Sequence, residues 1–87
     1  MADDGRPLRR RSTLVMRNVR VGARRTSLRL ELAVWEALND IARREGLPLN
    51  RLLTRIAGGQ SESSFTASVR VFALGYYRGL ARRLEGV

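Results

Sequence analysis

The stretch Arg24-Arg25-Thr26-Ser27-Leu28-Arg29-Leu30-Glu31 constrains this chain more than any other. On an extended backbone Thr26, Leu28 and Leu30 point one way and Arg25, Ser27 and Arg29 the other. One face is apolar enough to lie on a core. The other carries two guanidinium groups around a small hydroxyl. So short a strand does not stand alone, because even an isolated two-stranded hairpin is marginal in water. It needs a pairing strand, helices beneath its leucines and an anion opposite its arginines. The rest of the chain supplies the helices, and the other two needs are expected to be met from outside the monomer.

The chain has 87 residues, enough for one small domain and a thin core. Small domains lean on disulfides, metals or oligomerisation. There is no Cys and no His, which removes disulfides and thiolate or imidazole metal sites, so oligomerisation is the expected support. All 17 basic residues are Arg, within a net charge of +9. A GC-rich coding bias accounts for the missing Lys but not for the placement. Residues 1–30 hold nine Arg against Asp3 and Asp4, a net +7; residues 31–87 hold eight Arg against six acids, a net +2. Charge gathered at one end points to a polyanionic partner. Charges interrupt every long apolar run, and the N-terminal Arg cluster lacks an apolar segment, so neither a membrane span nor a secretory signal is expected. The expected location is the cytoplasm.

Residues 1–11 are polar and basic without a period and read as a disordered arm. Arg9-Arg10-Arg11 suit contact with DNA phosphates or a minor groove, or simply a solubilising tail. Residues 13–21 are β-rich but ambiguous in phase: Val15, Val19 and Val21 share a face with Arg17, and Leu14 and Met16 share the other. A turn at Gly22-Ala23-Arg24 would fold 14–21 against 25–30 as a hairpin and leave one edge of the second strand for another chain. Residues 32–45 read as a helix burying Val34, Trp35, Leu38, Ile41 and Ala42, with Glu31 at its positive end and Gly46 as its stop. Trp35 reads as a core anchor. Residues 48–57 form a second helix, Pro48 in its first turn, burying Leu49, Leu52, Leu53 and Ile56. After a break at residues 58–63, a third helix starts near Ser64, capped by Ser63 or Ser64. Its stripe of Phe65, Val69, Phe72, Tyr76 and Leu80, widened by Val71, Ala73 and Leu74, exceeds what one small monomer covers and is read as a dimer surface. The domain is placed at residues 12–80, with a tail at 81–87.

A basic alternating strand, a helix, a glycine turn and a second helix resemble the ribbon-helix-helix family of bacterial DNA-binding proteins, and a small alphaproteobacterial-type subfamily most. The residues carrying the resemblance are Arg25 to Glu31, Trp35-Glu36-Ala37-Leu38, Ile41 to Leu47, Arg70 to Leu74 and Tyr76-Tyr77-Arg78. It implies a mostly α fold with a short N-terminal β-strand, an intertwined homodimer and an additional C-terminal helix. It further implies a two-stranded ribbon, one strand per subunit, in the DNA major groove. By the parity above, Arg25, Ser27 and Arg29 face the bases. The resemblance puts phosphate contacts at the start of the second helix, Leu49, Asn50 and Arg51, and Arg24 joins them. Leu28, Leu30, Trp35, Leu38, Leu52, Leu53, Ile56, Val69, Phe72 and Tyr76 form the expected dimer core. Pro48 stands where the family often has a capping Ser or Thr, Leu32 where Pro often opens the first helix, and Gly58-Gly59 interrupts what is often one long second helix.

The expected function is a sequence-specific double-stranded DNA-binding transcriptional regulator, a repressor in sense, acting as a homodimer or a higher oligomer on DNA and needing no cofactor. The alternative is an antitoxin or adaptor whose C-terminal helix binds a protein, with DNA binding secondary. The apolar period over residues 64–80 favours the regulator, since a toxin-binding tail is often disordered. An enzyme is disfavoured: the chain has no His, no Cys and no paired carboxylates at a plausible spacing. Nothing aromatic interleaves the N-terminal arginines, which argues against single-strand stacking.

Overall fold

The computed structural model describes residues 14–59 and 64–85; the arm at residues 1–11 lies outside them. The chain begins with two antiparallel strands, β1 (Leu14–Val21) and β2 (Arg24–Glu31). A two-residue turn, Gly22-Ala23, joins them, and Gly22 has a φ of 63°. The primed turns that match strand twist need positive φ at this first central position, which glycine adopts without a Cβ clash. The strand at 24–31 therefore finds its pairing strand in its own chain, which corrects the expectation that this need is met outside the monomer.

The register pairs Val15 with Leu30, Arg17 with Leu28, Val19 with Thr26 and Val21 with Arg24. These residues form the face turned to the helices, where Val19, Leu28 and Leu30 are buried. A charged Arg17 is tolerated there because its guanidinium lies 5.1 Å from the centre of the Trp35 ring, a cation–π contact that leaves the head group at the edge of the core. The Trp35 indole also donates to the carbonyl of Val15 at 2.8 Å. These two contacts select the phase of β1.

Helix α1 (Leu32–Glu45) buries Trp35, Leu38, Ile41 and Ala42. It ends at Gly46, φ 70°, where Gly46 N–H donates to Arg43 O and Leu47 N–H to Ala42 O. That pair of bonds is the Schellman stop, and it carries Leu47 back onto the core. Helix α2 (Leu49–Gly58) is shifted one residue from the expected 48–57: Pro48 is the cap residue, not the first helical one. Helix α3 (Phe65–Glu85) opens with Ser64 Oγ accepting from Ala67 N–H at 3.0 Å. It continues through residues 81–85, which the sequence reads as tail.

The helices pack beneath the hairpin. Leu30, Trp35, Leu38, Ile41, Leu53 and Val69 are completely inaccessible, and Leu52 and Ile56 nearly so. Most of the expected dimer core is thus covered inside one chain, while Phe72 and Tyr76 are half-buried against the core. The wide stripe of α3 divides: Val69 and Ala73 are buried, whereas Val71 and Leu74 face out at 56% and 62% exposure. Side-chain hydrogen bonds tie α3 to the rest, among them a bond from the Tyr77 hydroxyl to Ala37 O at 3.5 Å. Arg70 forks onto Glu31 through Nε and Nη2 at 3.0 and 3.2 Å, and this donation holds the Glu31 carboxyl below its ordinary value. Tyr76 donates to Glu45 at 2.7 Å, which raises the phenol above its ordinary value.

Candidate nucleic-acid interface

The outward face of the hairpin is built by the alternate residues. Arg25, Ser27 and Arg29 of β2 stand on it together, exposed, as their parity requires. Across from them on β1 stand Arg20, Asn18 and Met16. Arg20 opposes Arg25 directly, an arrangement of like charges that destabilises a bare sheet. Among the described residues the ion pairs of acids lie elsewhere, Asp40 with Arg43 and Glu31 with Arg70. The face therefore carries uncompensated positive charge on a short, well-braced scaffold.

Asn18 and Ser27 are joined across the strands, the Ser27 hydroxyl donating to Asn18 Oδ1 at 2.9 Å. The outer edge of β1 is closed by α2. Asn50 Oδ1 accepts from Arg20 N–H at 3.1 Å, and Thr54 Oγ1 accepts from Gly22 N–H at 2.8 Å while donating to Asn50 O. These bonds also set the phase of the ladder. Arg20 N–H points away from β2, so the Arg20/Arg25 pair is a non-hydrogen-bonded one, and the backbone groups of Arg25, Ser27 and Arg29 point to the other side, along the open edge of β2. An open concavity of about 600 Å³ lies over this end of the hairpin, lined by Asn18, Val19, Arg20, Arg25, Thr26, Ser27 and Asn50.

The expected phosphate residues separate. Arg51 is exposed at the start of α2. Arg51 and Leu52 N–H both return to Pro48 O, and the amides of Leu49 and Asn50 have no such backbone acceptor. The Leu49 side chain packs on the core, so only its amide is available. The Asn50 side chain lines the concavity but is engaged with Arg20 N–H. Arg24 falls on the helix-facing side of β2, away from Arg25, and is exposed at the turn. Asn18, Arg20 and Thr54 were missed by sequence reasoning. The only signal for the first two was the alternation of β1, which Arg17 disguises by sitting on the valine face.

Residues 14–77 match the family model for the ribbon-helix-helix domain, a span that takes in the hairpin, the first two helices and the first part of the third. The chain belongs to the ribbon-helix-helix family. Its members are regulatory DNA-binding or antitoxin-like proteins, a class that suits the arginine face. The ribbon-helix-helix chain is also similar to a solved structure, that of an uncharacterized protein from Bordetella pertussis Tohama I, with 27% identity and a TM-score of 0.68 over 90% of this chain and 70% of that one. No curated protein matches it. No helix among the described residues is long and apolar enough to cross a membrane.

Proposed function

We propose that this ribbon-helix-helix protein is a sequence-specific double-stranded DNA-binding transcriptional regulator, a repressor, working as a homodimer. The observation that carries the reading is the exposed row of Arg25, Ser27 and Arg29 on the outward face of the hairpin, with no acid paired to it among the described residues. Arginine forks onto guanine O6 and N7, and serine hydrogen-bonds several base edges.

The dimer follows from the open edge of β2. Antiparallel pairing of two such edges gives the order β1-β2-β2-β1, with both copies of β2 at the centre. The two central strands then present six side chains, Arg25, Ser27 and Arg29 from each subunit, as a ribbon that the major groove accommodates. Val71 and Leu74 on α3 add apolar surface for the second copy or for further oligomerisation on DNA. Arg51 and the first amides of α2, with Arg24, hold phosphates. Such a protein works in the cytoplasm, on the nucleoid.

The test is selection of duplexes from a randomised pool, followed by DNase protection of the protein's own promoter. A recovered motif with twofold symmetry, protected in the promoter, is the expected result. Sedimentation of the protein at micromolar concentration should give twice the 9.8 kDa chain mass. No enrichment over the starting pool would overturn the reading.

A further inference from the structure

We infer that β1 is a phosphate-gripping strand, with Arg20 taking one DNA backbone phosphate per subunit beside the base-reading β2; this rests on the DNA-reading proposed above. In the order β1-β2-β2-β1, neighbouring strands lie about 4.8 Å apart, so each β2 sits about 2.4 Å from the central axis and each β1 about 7 Å. The major groove is about 12 Å wide, so its walls stand about 6 Å from the same axis. β2 therefore faces base edges and β1 faces the sugar-phosphate wall. The same register that puts Arg25 over the bases puts Arg20 over the backbone.

Three local features fit that role. Arg20 and Arg25 are directly opposed with no acid between them, and an anion at this end of the hairpin removes the repulsion that they otherwise suffer. Arg20 N–H is bound to Asn50 Oδ1 and Gly22 N–H to Thr54 Oγ1, so the strand that bears the guanidinium is fixed to α2. The concavity between them, about 600 Å³ and lined by Arg20, Arg25, Asn18 and Asn50, has room for a phosphodiester group. The guanidinium fork matches two phosphate oxygens. Asn18 adds an amide to the same wall, while its Oδ1 holds the Ser27 hydroxyl and so joins the two strands.

The experiment compares wild type, Arg20→Ala and Arg20→Lys on a duplex selected by the wild-type protein and on a scrambled one, from 50 to 200 mM salt. Arg20→Ala should weaken both duplexes by the same factor and leave the selected motif unchanged. Removing two phosphate-neutralising arginines per dimer makes the log–log salt slope shallower by about 1.8, so the deficit against wild type shrinks roughly 12-fold across that salt range. Arg20→Lys should keep the slope. A scan of single neutral methylphosphonate linkages should find one position per half-site that weakens wild type and leaves Arg20→Ala unaffected. Circular dichroism serves as the folding control, and Arg20 is exposed. Loss of one motif position in Arg20→Ala would make Arg20 a base reader and overturn the inference alone, as would an unchanged slope or no such linkage. Failure of the wild type to bind any duplex would overturn the inference and the DNA reading together.

Discussion

Trp35→Phe tests whether the reading strands are held to the helices as described. The indole is fully buried, donates to Val15 O at 2.8 Å and lies under the Arg17 guanidinium. Phenylalanine keeps an aromatic ring but loses the donor, which costs about 0.5–1.5 kcal/mol. The smaller ring leaves unfilled volume, at roughly 1–2 kcal/mol by comparison with complete ring deletions. A weaker cation–π contact adds up to about 0.5–1 kcal/mol. The total, about 2–4 kcal/mol, is a large share of the ~4–13 kcal/mol expected of a chain this size. Urea unfolding at fixed protein concentration should show a lower midpoint with an unchanged slope, and the melting temperature should fall on the order of 10–25 °C. Arg17→Ala, alone and combined with Trp35→Phe, isolates the cation–π share as the non-additive part of a double-mutant cycle. A loss below about 0.5 kcal/mol for Trp35→Phe would refute the buried tether, because an indole in solvent is replaced at almost no cost.

Further outcomes follow from the same geometry. Arg29→Ala should reduce the preference for the selected duplex over a scrambled one by about 1–3 kcal/mol per contact, with the circular dichroism spectrum unchanged, in paired binding titrations. Arg51→Ala should weaken both duplexes alike and flatten the salt dependence, which the same titrations read. Leu28→Arg places a charge on the buried face of the hairpin, where Leu28 is 4% exposed, and should abolish cooperative unfolding. The pH dependence of stability should carry the mark of Glu31, whose carboxyl is lowered from 4.5 first by the hydrogen bond from Arg70. A group with a depressed folded pKa stabilises above its unfolded value, and that contribution is lost as pH falls through the folded one. Denaturant midpoints should therefore drop on acidification below about pH 4.5, and Arg70→Met should flatten that limb; equal acid sensitivity in the variant would exclude the pair as its source.

The sequence by itself determined the outward row of Arg25, Ser27 and Arg29, because strand parity is a local property and the leucines between them admit only one phase. The buried faces of the first two helices were equally legible, since spacings such as Trp35-Leu38-Ile41-Ala42 have one period that buries them together. Gly46 was readable as a stop for the same local reason. Tertiary structure alone decided which side of β1 faces the helices. Its alternation is broken by Arg17, and only the Trp35 ring beneath makes an inward arginine tolerable. Tertiary structure also decided that Asn50 and Thr54 close the outer edge of β1, through hydrogen bonds that span 30 and 32 residues of sequence. Finally, it decided that the core is covered within one chain. A stripe such as that of α3 states how much apolar surface exists, but what covers it depends on where the hairpin and the other helices come to lie.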